Sequence, residues 1–239
     1  MCSMYFDLMA KSLAESGQTL TEVQYGQFLR YGELLKEWNE KINLTAITDD
    51  EGIMTKHFLD SLTVFQFPPI REAKTLIDVG TGAGFPGLPL KIIQPELELT
   101  LLDSLNKRLN FLKEVGSELK LTHIDYVHAR AEDGSRNPLY RDKFDIAVSR
   151  AVANLTLLAE LCLPYVRKGG YFIALKGPAV EEELLQAEKT ISLLGGKVAQ
   201  VMEVAVAGTD LKHNLVIVKK LQETPKRFPR TSAAIKKPL

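Results

Sequence analysis

The sequence predicts an α/β fold: a doubly wound, mostly parallel sheet of seven strands with an antiparallel C-terminal hairpin and an N-terminal helical extension. Three observations predict it. Beyond Lys74, short apolar runs alternate with helix-length segments, a rhythm that requires parallel pairing through right-handed crossovers. The last two apolar runs have no helix-length segment between them, so they must pair antiparallel. The residues before about 70 instead carry helical periodicity.

Thr21, with Gln24 three positions on, is a good helix start for "TEVQYGQFLRYGELLKEWNEKINL". That segment places Val23, Phe28, Leu34, Leu35, Trp38 and Ile42 near one face. A second helix is expected over 49–65, containing Ile53, His57, Leu59, Leu62 and Val64. The prolines of "FPPIREAK" end it and mark a boundary. The expected organisation is a helical extension over 1–70, a ligand-binding α/β domain over 71–222 and a basic tail over 223–239. "TLIDVG" is the first strand, and its glycine loop opens a helix near Pro86, where proline suits a first turn. "LELTLLD" follows with a helix over 106–119, then "HIDYVHA". "FDIAVSR" precedes a helix reaching 163, and "GGYFIALKG" one over 180–194. "KVAQVMEVAV" and "HNLVIVKKL" close the sheet.

With 239 residues, one substantial core with an appendage is expected. No apolar run approaches the ~20 residues of a membrane span. The opening "MCSMYFDLMAKS" lacks the pattern of a signal peptide. Two isolated cysteines, Cys2 and Cys162, point to a reducing, cytoplasmic setting. Four histidines (His57, His123, His128, His213) show no ligand spacing, so no metal is expected. Net charge is zero, but the segment from Lys219 onward carries seven basic residues against the single acid Glu223. Local charge decides what a surface attracts.

In an open α/β sheet the ligand lies beyond the carboxyl ends of the strands, which is where "GTGAGFPG", Gly80 to Gly87, falls. Gly82 and Gly84 fit a dinucleotide fingerprint, but Asp78 ends the strand just before them and would repel a pyrophosphate. The same carboxylate suits a ligand with an ammonium and a sulfonium and no phosphate there, namely S-adenosylmethionine. No Gly-Lys-Ser/Thr follows, which excludes Walker-type phosphate binding. Asp103 ends the second strand, where an acid meets a ribose hydroxyl pair. Ala131 and Glu132 follow the third strand, placed to flank an adenine. Each has a plainer reading: Asp103 as a helix cap, Glu132 as a helix starter.

With these residues in view, "DVGTGAGFPGLPL", "LLDSLNKRLNFL", "RAED", "FDIAVSRAVANL" and "LKG" resemble the glucose-inhibited division protein B family. "EWNEKINLTAI", "KHFLDSL" and the tail "PKRFPR" and "KKPL" resemble it too, so the likeness covers nearly the whole chain. It implies the class I, Rossmann-like methyltransferase fold, S-adenosylmethionine as cofactor and methylation of guanine N7 in 16S ribosomal RNA. By the same likeness Gly80, Phe85, Ala131, Glu132 and Arg150 contact the cofactor. One departure is that "RTSAAIKKPL" lacks the expected glycine-bearing step.

Guanine N7 has an exposed lone pair and no proton, so attack on a methyl needs no general base and catalysis is mostly positioning. Arg150 and Lys176, at the ends of the fourth and fifth strands, are the candidates at the reacting atoms. His57 and Asp60 sit on adjacent helix turns and are candidates to line the cleft. The cationic tail is expected to clamp RNA phosphates, with Arg30, Lys36 and Lys41 adding charge. Phe85 and Phe228 are candidates to stack a splayed base. A monomer acting on ribosomal RNA or the small subunit, with no membrane partner, is expected. Competing readings are a methyltransferase of protein or small molecules, a dinucleotide-dependent oxidoreductase and a non-catalytic ribosome-assembly factor.

Overall fold

The computed structural model describes residues 2–150 and 153–235; the tail cations Lys236 and Lys237 lie outside them. Seven strands form one sheet in the order β3-β2-β1-β4-β5-β7-β6. They are β1 (Thr75–Val79), β2 (Glu98–Asp103), β3 (Ile124–His128), β4 (Phe144–Ser149), β5 (Val166–Lys176), β6 (Gly196–Ala205) and β7 (Lys212–Lys220). β1 to β5 run parallel, while β7 pairs antiparallel with both β5 and β6. The order reverses between β1 and β4, and a crevice opens there at the carboxyl ends.

Two helices precede the sheet, α1 (Cys2–Glu15) and α2 (Glu22–Asn39). Thr21 caps α2 reciprocally with Gln24, a device that contributes ~1 kcal/mol. Tyr25, Phe28, Gly32 and Leu35 make the buried stripe of α2, joined by Leu34. Val23 departs from the expected face and is 74% exposed. It sits two positions from Tyr25, which puts it on the far side of a helix with 3.6 residues per turn. α1 was not anticipated as a separate element, yet it buries Met9 and Leu13.

The expected second helix is irregular: α3 (Asp50–Gly52), a π-helical stretch Ile53–Leu59, then α4 (Asp60–Leu62). A widened π turn re-aims the side chains around it, and such turns concentrate at functional sites. Short 3-10 turns at Thr63–Gln66 and Pro68–Glu72 lead into β1. The remaining helices are α5 (Gly87–Ile93), α6 (Asn106–Glu118), α7 (Ala131–Gly134), α8 (Leu155–Cys162) and α9 (Glu181–Leu193).

Side chains of successive strand residues alternate between two cores. Leu76, Leu99, Leu101, Val148 and Ile217 face one, shared with α1, α2, α5 and α6. Ile77, Val79, Phe172 and Val216 face the other, covered by α8 and α9. The N-terminal helices therefore share a core with the sheet. Phe228 of the C-terminal segment enters the second core.

Candidate active site

A cleft of about 460 Å³ lies at the switch point, lined by Gly80, Asp103, Arg130, Ala131, Glu132 and Ser149 among others. A larger hollow of about 610 Å³ opens at the amino ends of the strands, by Thr75, Glu98 and Phe144, away from the glycine loop.

The loop is held by its backbone. Gly80 and Thr81 donate to Leu102 O at 2.9 and 3.0 Å, and Gly82 N donates to Asp103 Oδ2 at 3.0 Å. Gly80 has φ +72°, and a Cβ built on it meets nothing within 4 Å, so its backbone faces open space. Gly84 is glycine for another reason. A Cβ there would run into the Tyr31 hydroxyl and come within 2.9 Å of Leu88 and Leu112. Its bare backbone lets α2 approach.

Asp78 is fully buried under this loop. Its Oδ2 accepts from Thr81 Oγ1 at 2.8 Å and Gly87 N at 2.9 Å, while its Oδ1 has no hydrogen-bond partner. Burial pushes this carboxyl up to about 6, against the opposing pull of those two donors and of Arg150. A buried carboxylate oxygen with nothing to pair with costs stability and is suited to a ligand cation. Because the folded pKa exceeds the unfolded one, the folded state binds the extra proton. Stability from this group is present near pH 4 and is lost as pH rises through about 6, a loss of about 2–3 kcal/mol for about two pKa units. Asp78→Asn removes that titration. In urea unfolding of the ligand-free protein, the variant is expected to gain stability relative to wild type from pH ~4 to pH ~6.

Asp103 is likewise engaged. Its Oδ1 accepts from Leu105 N at 2.9 Å, and its Oδ2 takes Arg108 at 3.3 Å besides Gly82. It thus braces both the loop and the start of α6 while lining the cleft, so the cap-like reading and the ligand-facing one coexist. Ala131 and Glu132 open α7, whose first carbonyl accepts from the Tyr165 hydroxyl at 2.7 Å.

Arg150 and Phe85 belong to a second cluster, outside the lining of the cleft. Arg150 donates to Asp60 Oδ2 at 2.8 Å, to Lys56 O at 3.1 Å and to His57 Nδ1 at 3.2 Å. Its guanidinium lies 4.9 Å from the centre of the Phe85 ring, which also stacks on His57 at 4.6 Å. Phe85 is buried among Tyr31, Phe58 and these groups, so it has no free face for a base. Burial first, then Arg150, lowers His57 to about 4. Neutral His57 accepts at Nδ1 and presents Nε2–H to Thr45 Oγ1 at 2.8 Å. His213, on β7, donates to Asp60 Oδ1 at 2.5 Å, and that bond raises its pKa. Asp60, 2% exposed, is held below the usual carboxylate range by His213 and Arg150 despite its burial. His57 and Asp60 were legible as neighbours on adjacent turns. His213 was not, because its partner is 153 residues away.

Two expectations are corrected. Lys176 is buried and occupied: its Nζ meets Glu183 at 2.8 Å and Ala153 O at 3.0 Å, while Glu183 also caps Leu155 N of α8. It ties strand to helices. The segment after β7 is also not a loose clamp. Lys220 is buried against Asp142, Leu163 O and Thr224. Phe228 packs in the core and cannot stack a base, and Arg230 makes a bidentate pair with buried Glu160. Lys226 and Arg227 remain exposed. Among the described residues no cluster of three metal-ligating side chains occurs, and no helix is long and apolar enough to cross a membrane.

Comparison with known proteins gives a consistent picture. Residues 24–218 match the family model GidB, described as rRNA small subunit methyltransferase G. The chain is 54% identical over 233 residues to "Ribosomal RNA small subunit methyltransferase G" of Clostridium botulinum (strain 657 / Type Ba4), covering 98% of each chain. It is 56% identical over 236 residues to the protein of the same name from Clostridium perfringens (strain SM101 / Type A), covering 98% of this chain and 99% of that one. Among solved structures, precorrin-6y C5,15-methyltransferase of Geobacter metallireducens superposes with a TM-score of 0.51 at 15% identity, over 67% of this chain and 87% of that one. That last likeness concerns the fold alone.

Proposed function

Because the chain belongs to the rRNA small subunit methyltransferase G family, we propose that it methylates N7 of a guanine in the decoding-region loop of 16S ribosomal RNA, using S-adenosylmethionine. The observation that carries the cofactor assignment is Asp78, a buried carboxylate with one unpartnered oxygen beneath a glycine backbone that faces open space. A phosphate would be repelled there, whereas a ligand bearing an ammonium and a sulfonium is attracted. Asp103 and Glu132, farther along the cleft, offer carboxylate oxygens to ribose hydroxyls and an adenine amine. The residues present therefore fit this cofactor.

When bound, S-adenosylmethionine supplies an electrophilic methyl carbon on a positive sulfur. That carbon would be taken by the guanine N7 lone pair, with the carbon–sulfur pair left on sulfur and the positive charge carried to the guanine. No proton moves, so the chain needs no general base. Its residues bind, orient and exclude water. Asp78 and the loop hold one end of the cofactor, and Asp103, Ala131 and Glu132 the other. Arg150, locked by Asp60, Lys56 O and His57, is the cation we place against the RNA. Lys176 acts indirectly, by anchoring the start of α8 through Glu183. The substrate class puts this work in the cytoplasm, and a single chain carries every group named.

Calorimetry with S-adenosylmethionine and with NAD separates the methyl carrier from a dinucleotide. Binding of the first and not the second is expected. Label from methyl-labelled cofactor should then appear in 16S RNA, as naked RNA or in the small subunit, and not in protein. Affinity for NAD without affinity for the sulfonium compound would overturn the reading.

A further inference from the structure

The segment after β7 does more than cover the core. From Thr224 it is tied down step by step. Arg141 donates to Thr224 O at 2.8 Å and Phe228 O at 3.0 Å, and Arg136 donates to Pro229 O. Arg230 then grips Glu160, with its backbone N at 2.7 Å and Nε at 3.0 Å on Oε1, and Nη2 at 2.8 Å on Oε2. Two residues on, the Ser232 hydroxyl donates to Glu132 Oε1. Glu132 opens α7, lines the cleft and is nearly buried. Its Oε2 makes no hydrogen bond among the described residues. The Tyr165 hydroxyl pins the adjoining carbonyl of Ala131 at 2.7 Å. The backbone of this corner is thus set from the core, and the carboxylate is oriented from the C-terminal segment.

We infer that the C-terminal segment is part of the cofactor site, with Ser232 as a positioning residue that fixes Glu132 to read the amine of an adenine. This rests on the methyltransferase reading above. A carboxylate accepts hydrogen bonds only, so one held in place favours a base presenting an N–H there and disfavours one presenting a carbonyl oxygen. Released from Ser232, the Glu132 side chain rotates toward water and that preference weakens, because an unheld acceptor no longer faces the carbonyl across a dry gap.

The test uses the full chain and two probes that differ only at this edge, S-adenosylhomocysteine and S-inosylhomocysteine, titrated by calorimetry. Wild type is expected to favour the adenosine compound. Ser232→Ala should reduce the ratio of the two dissociation constants by about tenfold, and Ser232→Thr, which keeps the hydroxyl, should restore it. An unchanged ratio in Ser232→Ala overturns the inference, as does a wild type that binds both probes equally. If wild type binds neither probe, the methyltransferase reading fails with it. A merely structural serine would weaken both probes together and leave the ratio alone, which also counts against the proposal.

Discussion

Replacing Asp60 with alanine is expected to lower stability by about 3 kcal/mol, the cost of removing a buried carboxylate that two partly buried cationic groups share. Asp60, at the start of α4, lies between Arg150, just after β4, and His213 on β7, and is joined to them by hydrogen bonds of 2.8 and 2.5 Å. Without it the two cationic groups face each other over a hole. Part of the effect titrates. His213 has a folded pKa above its usual 6.5, so its contribution is complete below that value and fades as pH rises through the folded one. The Asp60→Ala penalty should therefore be larger at pH ~6 than at pH ~9, where the Arg150 share alone remains. Urea unfolding at the two pH values measures it. Methyl transfer should fall by about 100-fold in the same variant, because Arg150 loses the partner that orients it and small misplacements are expensive in a reaction run by positioning. A full rate with Arg150 unanchored would remove it from the site.

Arg230→Ala is the second large effect. Glu160 is 1% exposed, and Arg230 donates to both of its carboxylate oxygens. Losing the guanidinium strands a buried carboxylate, so a cost of about 3–5 kcal/mol is expected in urea unfolding. The double change Glu160→Gln with Arg230→Met should recover much of it, since an apolar or neutral pair needs no counter-charge. The pair also sets where Ser232 can reach, so Arg230→Ala should disturb cofactor binding as well as stability. If the variant unfolds at the wild-type midpoint, the segment is not docked in solution as the geometry requires.

Much of the architecture was legible from particular residues. The alternation of "TLIDV", "LTLLD" and "FDIAVS" with helical segments follows from pleat and crossover rules that act over short stretches. The capping pair Thr21 and Gln24 announced α2 three residues at a time. The glycine loop and the carboxylates Asp78 and Asp103 were found where a doubly wound sheet puts them. Less legible was the π turn over Ile53–Leu59, whereas the exposed Val23 follows from a face count taken from Tyr25, two positions on.

By itself the sequence determined the strand and helix order, the loop with its bare backbone, and the acids at the carboxyl ends of β1 and β2 and just after β3, because each depends on residues within a turn or two of one another. Only the tertiary structure decided which charges meet. It gave Arg150 to Asp60, His213 to that same carboxylate, Lys176 to Glu183 and Arg230 to Glu160, over separations from 7 to 153 residues. It also turned a basic tail, readable as a free cationic arm, into a docked segment whose serine touches the cleft. The physical reason is that an ion pair's worth is set by distance and by the water excluded around it, and neither is a property of spacing along a chain.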